Sequence, residues 1–365
     1  MTLVLPDFPW DTIAAEAARA RSHPDGFVDL SVGSPVDPTP QVIAEALRSA
    51  ADAHSYPTTQ GSPELRGAIA RWFERRRGVP GLGLEHSIPT VGSKELIGLL
   101  PFILGIGAGE TVVFPEVAYP TYEVGAVAVG ASPLAADDPM SWPASTKLVW
   151  LNSPGNPDGS VLDVEELRAA VDRARELGAI IVGDECYAEL NWESLDATPS
   201  ILDPQVTGGD LTGVLSVYSL SKQSNLAGYR AGIVTGDPAL IASILGVRKH
   251  LGLMTPWPVQ VAMTAAFDDD AHVAEQRERY RARRVKLKRA LEGAGFWIDE
   301  SRAGLYLWAT KGQASRETLA ELADLGILVA PGDFYGPAGA RHVRVAITAT
   351  DAAIAEAVSR LEILA

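Results

Sequence analysis

The run Gly213-Val214-Leu215-Ser216-Val217-Tyr218 is dominated by apolar and β-branched residues and reads as a buried strand, which stops at Ser219-Leu220-Ser221-Lys222. Leu148-Val149-Trp150-Leu151 and Ala179-Ile180-Ile181-Val182 read the same way, with a helical pattern over 164–177 between them that Gly178 closes. Apolar strands alternating with helices predict an α/β fold with a mostly parallel central sheet. In such open sheets ligands bind beyond the strand ends, and Lys222 is placed there. Taken alone, a lysine in that position is ordinarily a solvated amine. Its neighbours alter the reading. Arg230, in Gly228-Tyr229-Arg230, and the hydroxyls of Ser219 and Ser221 put donors for an anion beside the amine, which suits a phosphorylated cofactor carrying an aldehyde.

The 365 residues are enough for two domains, and 47% apolar with 21% charged residues is ordinary for a soluble globular enzyme. A formal charge of -15 repels a phosphate backbone, so nucleic acid is not an expected partner. Cys186 is the single cysteine, and no apolar run approaches the roughly 18 residues that span a bilayer, so no membrane is expected. The N-terminus lacks a basic segment followed by an apolar core, and the expected compartment is the cytoplasm. The six histidines are scattered, with no two at ligand spacing, so no metal is expected.

Taken in order, residues 32–40 are too rich in proline for helix or central strand and must form a shaped loop. Gly33 there either admits a close ligand or serves a turn. Helices are expected from Pro40 and from Pro63 to Gly78, with Tyr56 on the loop between them. Gly92-Ser93-Lys94 opens a helix over 96–104 and is either a phosphate cradle or an ordinary cap. Gly105-Ile106-Gly107-Ala108-Gly109 lacks the third glycine of a dinucleotide fingerprint and reads as a turn before a strand at 111–114. Tyr119 and Tyr122 either stack on a flat ring or pack in the core. Asn156 lies in the turn Asn152-Ser153-Pro154-Gly155-Asn156-Pro157-Asp158-Gly159, and Asp184, after four apolar residues and a glycine, is a cap, an ion-pair partner or a functional carboxylate. Past a strand at 231–235 and a helix from Pro238, the segment Met254-Thr255-Pro256-Trp257-Pro258 marks a change of character. A long helix over 259–291 with a basic outer face is expected next, then strands at 305–309, 327–330 and 343–347 and helices at 316–324 and up to 364, as in a smaller α/β domain.

Ser219-Leu220-Ser221-Lys222 also fits the S-x-x-K pattern of penicillin-recognising serine enzymes, but Ser-Asp-Asn and Lys-Thr-Gly are missing. No Gly-x-Ser-x-Gly elbow or Walker loop occurs, and little chain is left for a DNA-reading segment of a ligand-sensing regulator. Pyridoxal phosphate chemistry accounts for the residues together. Its aldehyde needs a lysine, its ring nitrogen a carboxylate, and its phosphate cations and N–H groups.

Gly155-Asn156-Pro157-Asp158-Gly159, Asp184-Glu185-Cys186-Tyr187, Ser219-Leu220-Ser221-Lys222, Gly228-Tyr229-Arg230 and His342-Val343-Arg344, in this order, resemble the class I aminotransferases of the aspartate aminotransferase fold over nearly the whole chain. The resemblance implies a fold type I pyridoxal-phosphate-dependent transferase: an N-terminal arm and part of the small domain over 1–40, a large cofactor domain over 41–255 and a small domain over 256–365. It implies that Lys222 holds the cofactor aldehyde and shuttles a proton, that Asp184 pairs with the ring nitrogen, and that Asn156 and Tyr187 contact the ring hydroxyl. Ser93, Lys94, Ser219 and Arg230 would hold the phosphate, and Tyr119 would stack on the ring. Tyr56 would reach the phosphate of a neighbouring subunit in a homodimer with shared sites, and Arg344 would clamp the substrate α-carboxylate opposite Gly33. Asp158 stands where this family usually has threonine, and Glu116-Val117-Ala118 before Tyr119 is a second departure.

Leu5-Pro6-Asp7-Phe8-Pro9-Trp10-Asp11 and Val117-Ala118-Tyr119-Pro120-Thr121-Tyr122 look like the actinobacterial type of N-succinyldiaminopimelate aminotransferase. That likeness implies amino transfer between glutamate and N-succinyl-2-amino-6-oxopimelate. Aspartate or aromatic amino transfer and a carbon–sulfur lyase are the alternatives.

Overall fold

The protein is described by a computed structural model over residues 5–194 and 198–364. In chain order the strands are β1 Val28–Asp29, β2 Ser87–Val91, β3 Thr111–Phe114, β4 Ser132–Ala135, β5 Thr146–Asn152, β6 Ile180–Asp184, β7 Val214–Ser219, β8 Ala231–Gly236, β9 Trp297–Asp299, β10 Tyr306–Thr310, β11 Ile327–Leu328, β12 Ala330–Pro331 and β13 Val343–Ala346. Seven of them form the central sheet in the order β2-β8-β7-β6-β5-β3-β4. The sheet is parallel except for β8, which is antiparallel to both β2 and β7.

These strands read as unbroken apolar runs because both faces of the sheet are covered. Val149, Ile181 and Tyr218 point into one core, with Trp72 and Phe73 of helix Pro63–Arg77 and Val171 of helix Val164–Leu177. Leu148, Trp150, Val182 and Val217 point into the other, with Leu96 and Leu100 of helix Ser93–Ile103 and Tyr122 of helix Thr121–Ala128. Each such fully buried apolar side chain contributes roughly 1.5–3 kcal/mol, far more than one helix cap. Caps set the boundaries instead. Asp163 accepts from the Glu165 and Glu166 amides at the start of helix Val164–Leu177, and Gly178, in the left-handed region, ends it.

A second, antiparallel sheet has the order β12-β13-β10-β9, and β1 pairs in parallel with β11. Their core gathers Ile13, Ala17 and Leu30 from the N-terminal segment with Tyr280 and Leu287, Leu307 and Val345. The sequence reading did not anticipate helix Ala14–Arg21 or the short strands β1, β4 and β9, whose few residues carry too little periodicity to register.

Three expectations change. The long helix over 259–291 is two helices, Trp257–Asp268 and Ala271–Gly293. At the break, the Asp269 carboxylate accepts from the His272 amide at 3.0 Å, offering the backbone an alternative to helix. The first of the two puts Val259, Met263 and Phe267 into the core of the central sheet. Nor is the second helix's basic face wholly outward. Arg283 is buried, forks onto Asp37 with two bonds of 2.7 Å and reaches Asp351 at 2.7 Å, while Arg284 donates to the Ser301 carbonyl at 2.7 Å. Finally, the strand expected at 327–330 is divided at Val329 between two sheets, β11 against β1 and β12 against β13.

Candidate active site

Sheet register brings the sequence motifs to one edge. Asn152 pairs with Asp184 across β5 and β6, so both strands deliver their last residues together, and Ser219 ends β7 beside them. β2 ends at Val91, where Gly92 and helix Ser93–Ile103 follow. Because β8 runs the other way, its start lies at this same edge: Ala231 pairs with Val91 and Gly232 with Ser219, which places Arg230 next to the helix start. This is the crevice outside the carboxyl ends of the strands.

A cleft of about 510 Å³ opens there, lined by Ser93, Asp184, Ser219, Lys222, Arg230 and Arg344 among others. Lys222 is not on a loop, as expected, but on the single helical turn Leu220–Gln223, which Ser219 caps by accepting from the Ser221 amide at 3.2 Å. Its Nζ donates to the Gly33 carbonyl at 2.5 Å. Asp184 is 6% exposed; its Oδ2 accepts from the Tyr122 hydroxyl at 2.9 Å and its Oδ1 from the Cys186 amide at 3.2 Å. Burial pushes this carboxyl above the usual aspartate range, only partly offset by those donors. A buried carboxylate of this kind calls for a cationic partner in the cleft.

The anion-binding corner is equally specific. Gly92 has φ 76°, and a Cβ there would fall 2.5 Å from Arg230 Nη2, so only glycine admits the guanidinium against this helix start. Arg230, itself left-handed at φ 54°, is steadied by an Nη1 bond of 2.8 Å to the Ala227 carbonyl. The Ser219 hydroxyl donates to that of Ser221 at 2.8 Å. Free helix N–H groups, two hydroxyls and a guanidinium make a donor set for a phosphate. The Lys94 ammonium turns elsewhere, 5.7 Å from the Phe8 ring centre and 5.9 Å from that of Tyr119.

The opposite wall comes from the second sheet. Arg344, on β13, donates through Nη1 to Asn156 Oδ1 at 2.9 Å and through Nη2 to the Ser31 carbonyl at 2.7 Å, while its buried Nε has no protein partner among the described residues. Its guanidinium lies 3.9 Å from the ring centre of Tyr306, whose hydroxyl is 3.2 Å from that of Tyr187. At Gly33 the close neighbour is a side chain: a Cβ there would fall 2.1 Å from the Tyr306 hydroxyl. Tyr119 lines the cleft; Tyr56 does not, and is 92% exposed. Sequence reasoning missed Tyr306, Phe8 and Trp10 as lining groups, and it treated Tyr122 as core or stacking aromatic, where it is core with its hydroxyl on Asp184. Phe8, Trp10 and Tyr122 stood in segments that carried only a likeness, and no motif marks Tyr306.

Residues 25–361 match the family model described as aminotransferase class I and II. The chain belongs to this family. Among its relatives, a probable aminotransferase of Mycobacterium tuberculosis is 55% identical over 98% of this chain and 85% of that protein. The 4-dedimethylamino-4-oxo-anhydrotetracycline transaminase OxyQ of Streptomyces rimosus is 53% identical over 98% of this chain and 99% of the relative. A solved aminotransferase of Neisseria meningitidis superposes with a TM-score of 0.89 at 31% identity, covering 99% of this chain and 97% of that one. The protein is therefore an aminotransferase of the aspartate aminotransferase fold, dependent on pyridoxal 5'-phosphate. The lysine, the buried carboxylate and the glycine-backed anion corner of this aminotransferase fit that cofactor. Among the described residues no cluster of three or more His, Cys, Asp or Glu could hold a metal, and no helix is long and apolar enough to cross a membrane.

Proposed function

We propose that Lys222 binds the cofactor covalently and that its Nζ afterwards carries the proton taken from the substrate Cα. Asp184 pairs with the ring nitrogen, Asn156 and Tyr187 hold the ring oxygen, and Tyr119 covers the ring. Ser93, the Lys94 backbone, Ser219 and Arg230 hold the phosphate, with Tyr56 supplied by the neighbouring subunit of a homodimer. The bound cofactor supplies an aldehyde that takes up the amino group and a protonated ring that draws electrons from the adjacent carbon. Arg344 receives the α-carboxylate through its fork, with Gly33 opposite. Ordering that carboxylate beside Lys222 converts proton transfer into an intramolecular step.

For the substrate we propose N-succinyl-2-amino-6-oxopimelate as acceptor and glutamate as donor. The observation behind this reading is a second cation: the Lys94 ammonium lies between Phe8 and Tyr119 on the cleft wall, with no carboxylate partner among the described residues, where the distal carboxylate of an extended substrate can reach it. The strong likeness to OxyQ favours a second reading, a fused-ring ketone packed on the aromatic wall of Phe8, Trp10 and Tyr119. Single-turnover bleaching of the holoenzyme by succinyl-diaminopimelate, aspartate, phenylalanine and an amino-anhydrotetracycline separates these. A preference of roughly tenfold, about 1.4 kcal/mol, for any of the others over succinyl-diaminopimelate sinks the first reading.

A further inference from the structure

Tyr306 belongs to no sequence motif, yet it touches three parts of the site at once. Its ring lies 3.9 Å from the Arg344 guanidinium, its hydroxyl is 3.2 Å from that of Tyr187, and it fills the space beside Gly33 that a Cβ would need. It is buried, and pairing of β10 with β13 opposite Ala346 fixes its backbone. We propose that Tyr306 is a positioning residue with two separable parts. Its hydroxyl donates to Tyr187 and so commits the Tyr187 proton to the cofactor's ring oxygen; its ring is the platform that holds Arg344 for the substrate carboxylate. This rests on the roles given above to Tyr187 and Arg344.

The direction of the hydrogen bond follows from the role given to Tyr187, whose one proton is spent on the cofactor's ring oxygen. Each phenol has one proton, so a Tyr187 that accepts from Tyr306 keeps its own for another acceptor. The more acidic phenol is the better donor. Burial pushes both hydroxyls up, but on Tyr306 the stacked Arg344, the Lys222 amine and the bond with Tyr187 together outweigh it and lower the group, whereas Tyr187 stays well above the ordinary tyrosine range. The ring's part is a matter of packing. An arginine over an aromatic face is held by the ring quadrupole and by contact, and the attraction is larger where water is excluded.

Two holoenzyme variants separate the parts. In Tyr306→Phe the platform stays and the hydroxyl goes. The pH midpoint of the visible absorption, measured without substrate, should rise by about half a pH unit, roughly threefold in equilibrium constant. KM for the amino donor should change by less than about twofold, because the contact that binds the carboxylate is intact. In Tyr306→Leu the midpoint should rise likewise, and KM should increase roughly tenfold for amino donor and keto acceptor alike. Tyr306→Met, longer and more adaptable in shape, replaces it should the leucine variant not fold. A midpoint unmoved in Tyr306→Phe overturns the donor role, and a KM in the leucine or methionine variant equal to that of the phenylalanine variant overturns the platform. A wild type without any pH-dependent visible band would overturn the underlying cofactor roles together with this one, whereas a normal wild-type band that neither variant moves sinks Tyr306 alone.

Discussion

The two walls of the cleft are built by different means. The wall carrying Asp184, Ser219, Lys222 and Arg230 is the edge of one sheet, and its groups meet because neighbouring strands end in register. The wall carrying Arg344 and Tyr306 belongs to a second sheet, and it meets the first through backbone bonds of residues 301–304 with Asp158, Gly159 and Leu190 and through two side-chain contacts, Arg344 on Asn156 and Tyr306 on Tyr187. A register error on the first wall would turn side chains to the wrong face of the sheet, so position there is over-determined. On the second wall the backbone is likewise held by sheet pairing, but the aim of the Arg344 and Tyr306 side chains rests on a few polar and stacking contacts that a single substitution can loosen. Chemistry is thus expected to be lost on the first wall and substrate selection on the second.

The largest test of that contrast is Lys222→Ala, which should remove the covalently bound chromophore and cost at least the roughly 10²–10⁴-fold typical of an acid–base group. Rapid-mixing turnover with glutamate, together with borohydride reduction and mass spectrometry, measures both; unchanged turnover would end the assignment of the first wall.

Asp184→Asn should slow proton abstraction on the order of a hundredfold, with the cofactor still bound, since a charge-assisted hydrogen bond is worth about 1.5–3 kcal/mol. Its apo form offers a second reading. Because burial raises the Asp184 pKa in the folded protein, folding favours the protonated acid, and that contribution is full below the ordinary aspartate range and lost as pH rises through the folded pKa. The apo variant should therefore melt higher than apo wild type at neutral pH, and the gap should close on acidification. Melting curves that keep a constant gap across pH would contradict the buried, uncompensated carboxylate.

Arg344→Lys should lower kcat/KM roughly tenfold for donor and acceptor alike, because an ammonium cannot reproduce the fork. A loss confined to one of the two substrates would break the contrast, since it would place the α-carboxylate clamp elsewhere.

The smallest expected effect is that of Tyr122→Phe. Deleting its bond to the Asp184 carboxylate leaves the Cys186 amide in place, and because that bond is present before and during proton abstraction only part of its roughly 1.5–3 kcal/mol is felt, so the half-reaction should slow by roughly two- to tenfold with KM unchanged. A larger change in KM than in rate would put Tyr122 on the substrate side.

The same contrast governs how much could be read from the chain alone. Lys222 and Asp184 stand out because each closely follows an apolar run, and Arg230 because it directly precedes one soon after Lys222. Gly92 was visible only as a glycine before a helix; that it makes room for Arg230 needed the pairing of β2 with β8. The break at Asp269-Asp270 was passed over because apolar residues recur on both sides of it, and the bond from the His272 amide to the Asp269 carboxylate is a local geometry that no periodicity reports. The inward tethers of Arg283 to Asp37 and Asp351 read as surface charge for the same reason.

By itself the sequence determined the α/β class, the strand ends and the kind of cofactor, because strand burial and the demands of an aldehyde, a ring nitrogen and a phosphate are written in short contiguous stretches. Only the tertiary structure decided which aromatic rings wall the cleft, that Tyr122 supports Asp184, and that Tyr306 joins Arg344 to Tyr187. Those contacts link residues far apart in the chain: Tyr122 reaches Asp184 because its helix packs on the central sheet, and Tyr306 meets Tyr187 inside one shared core, packing that no local pattern carries.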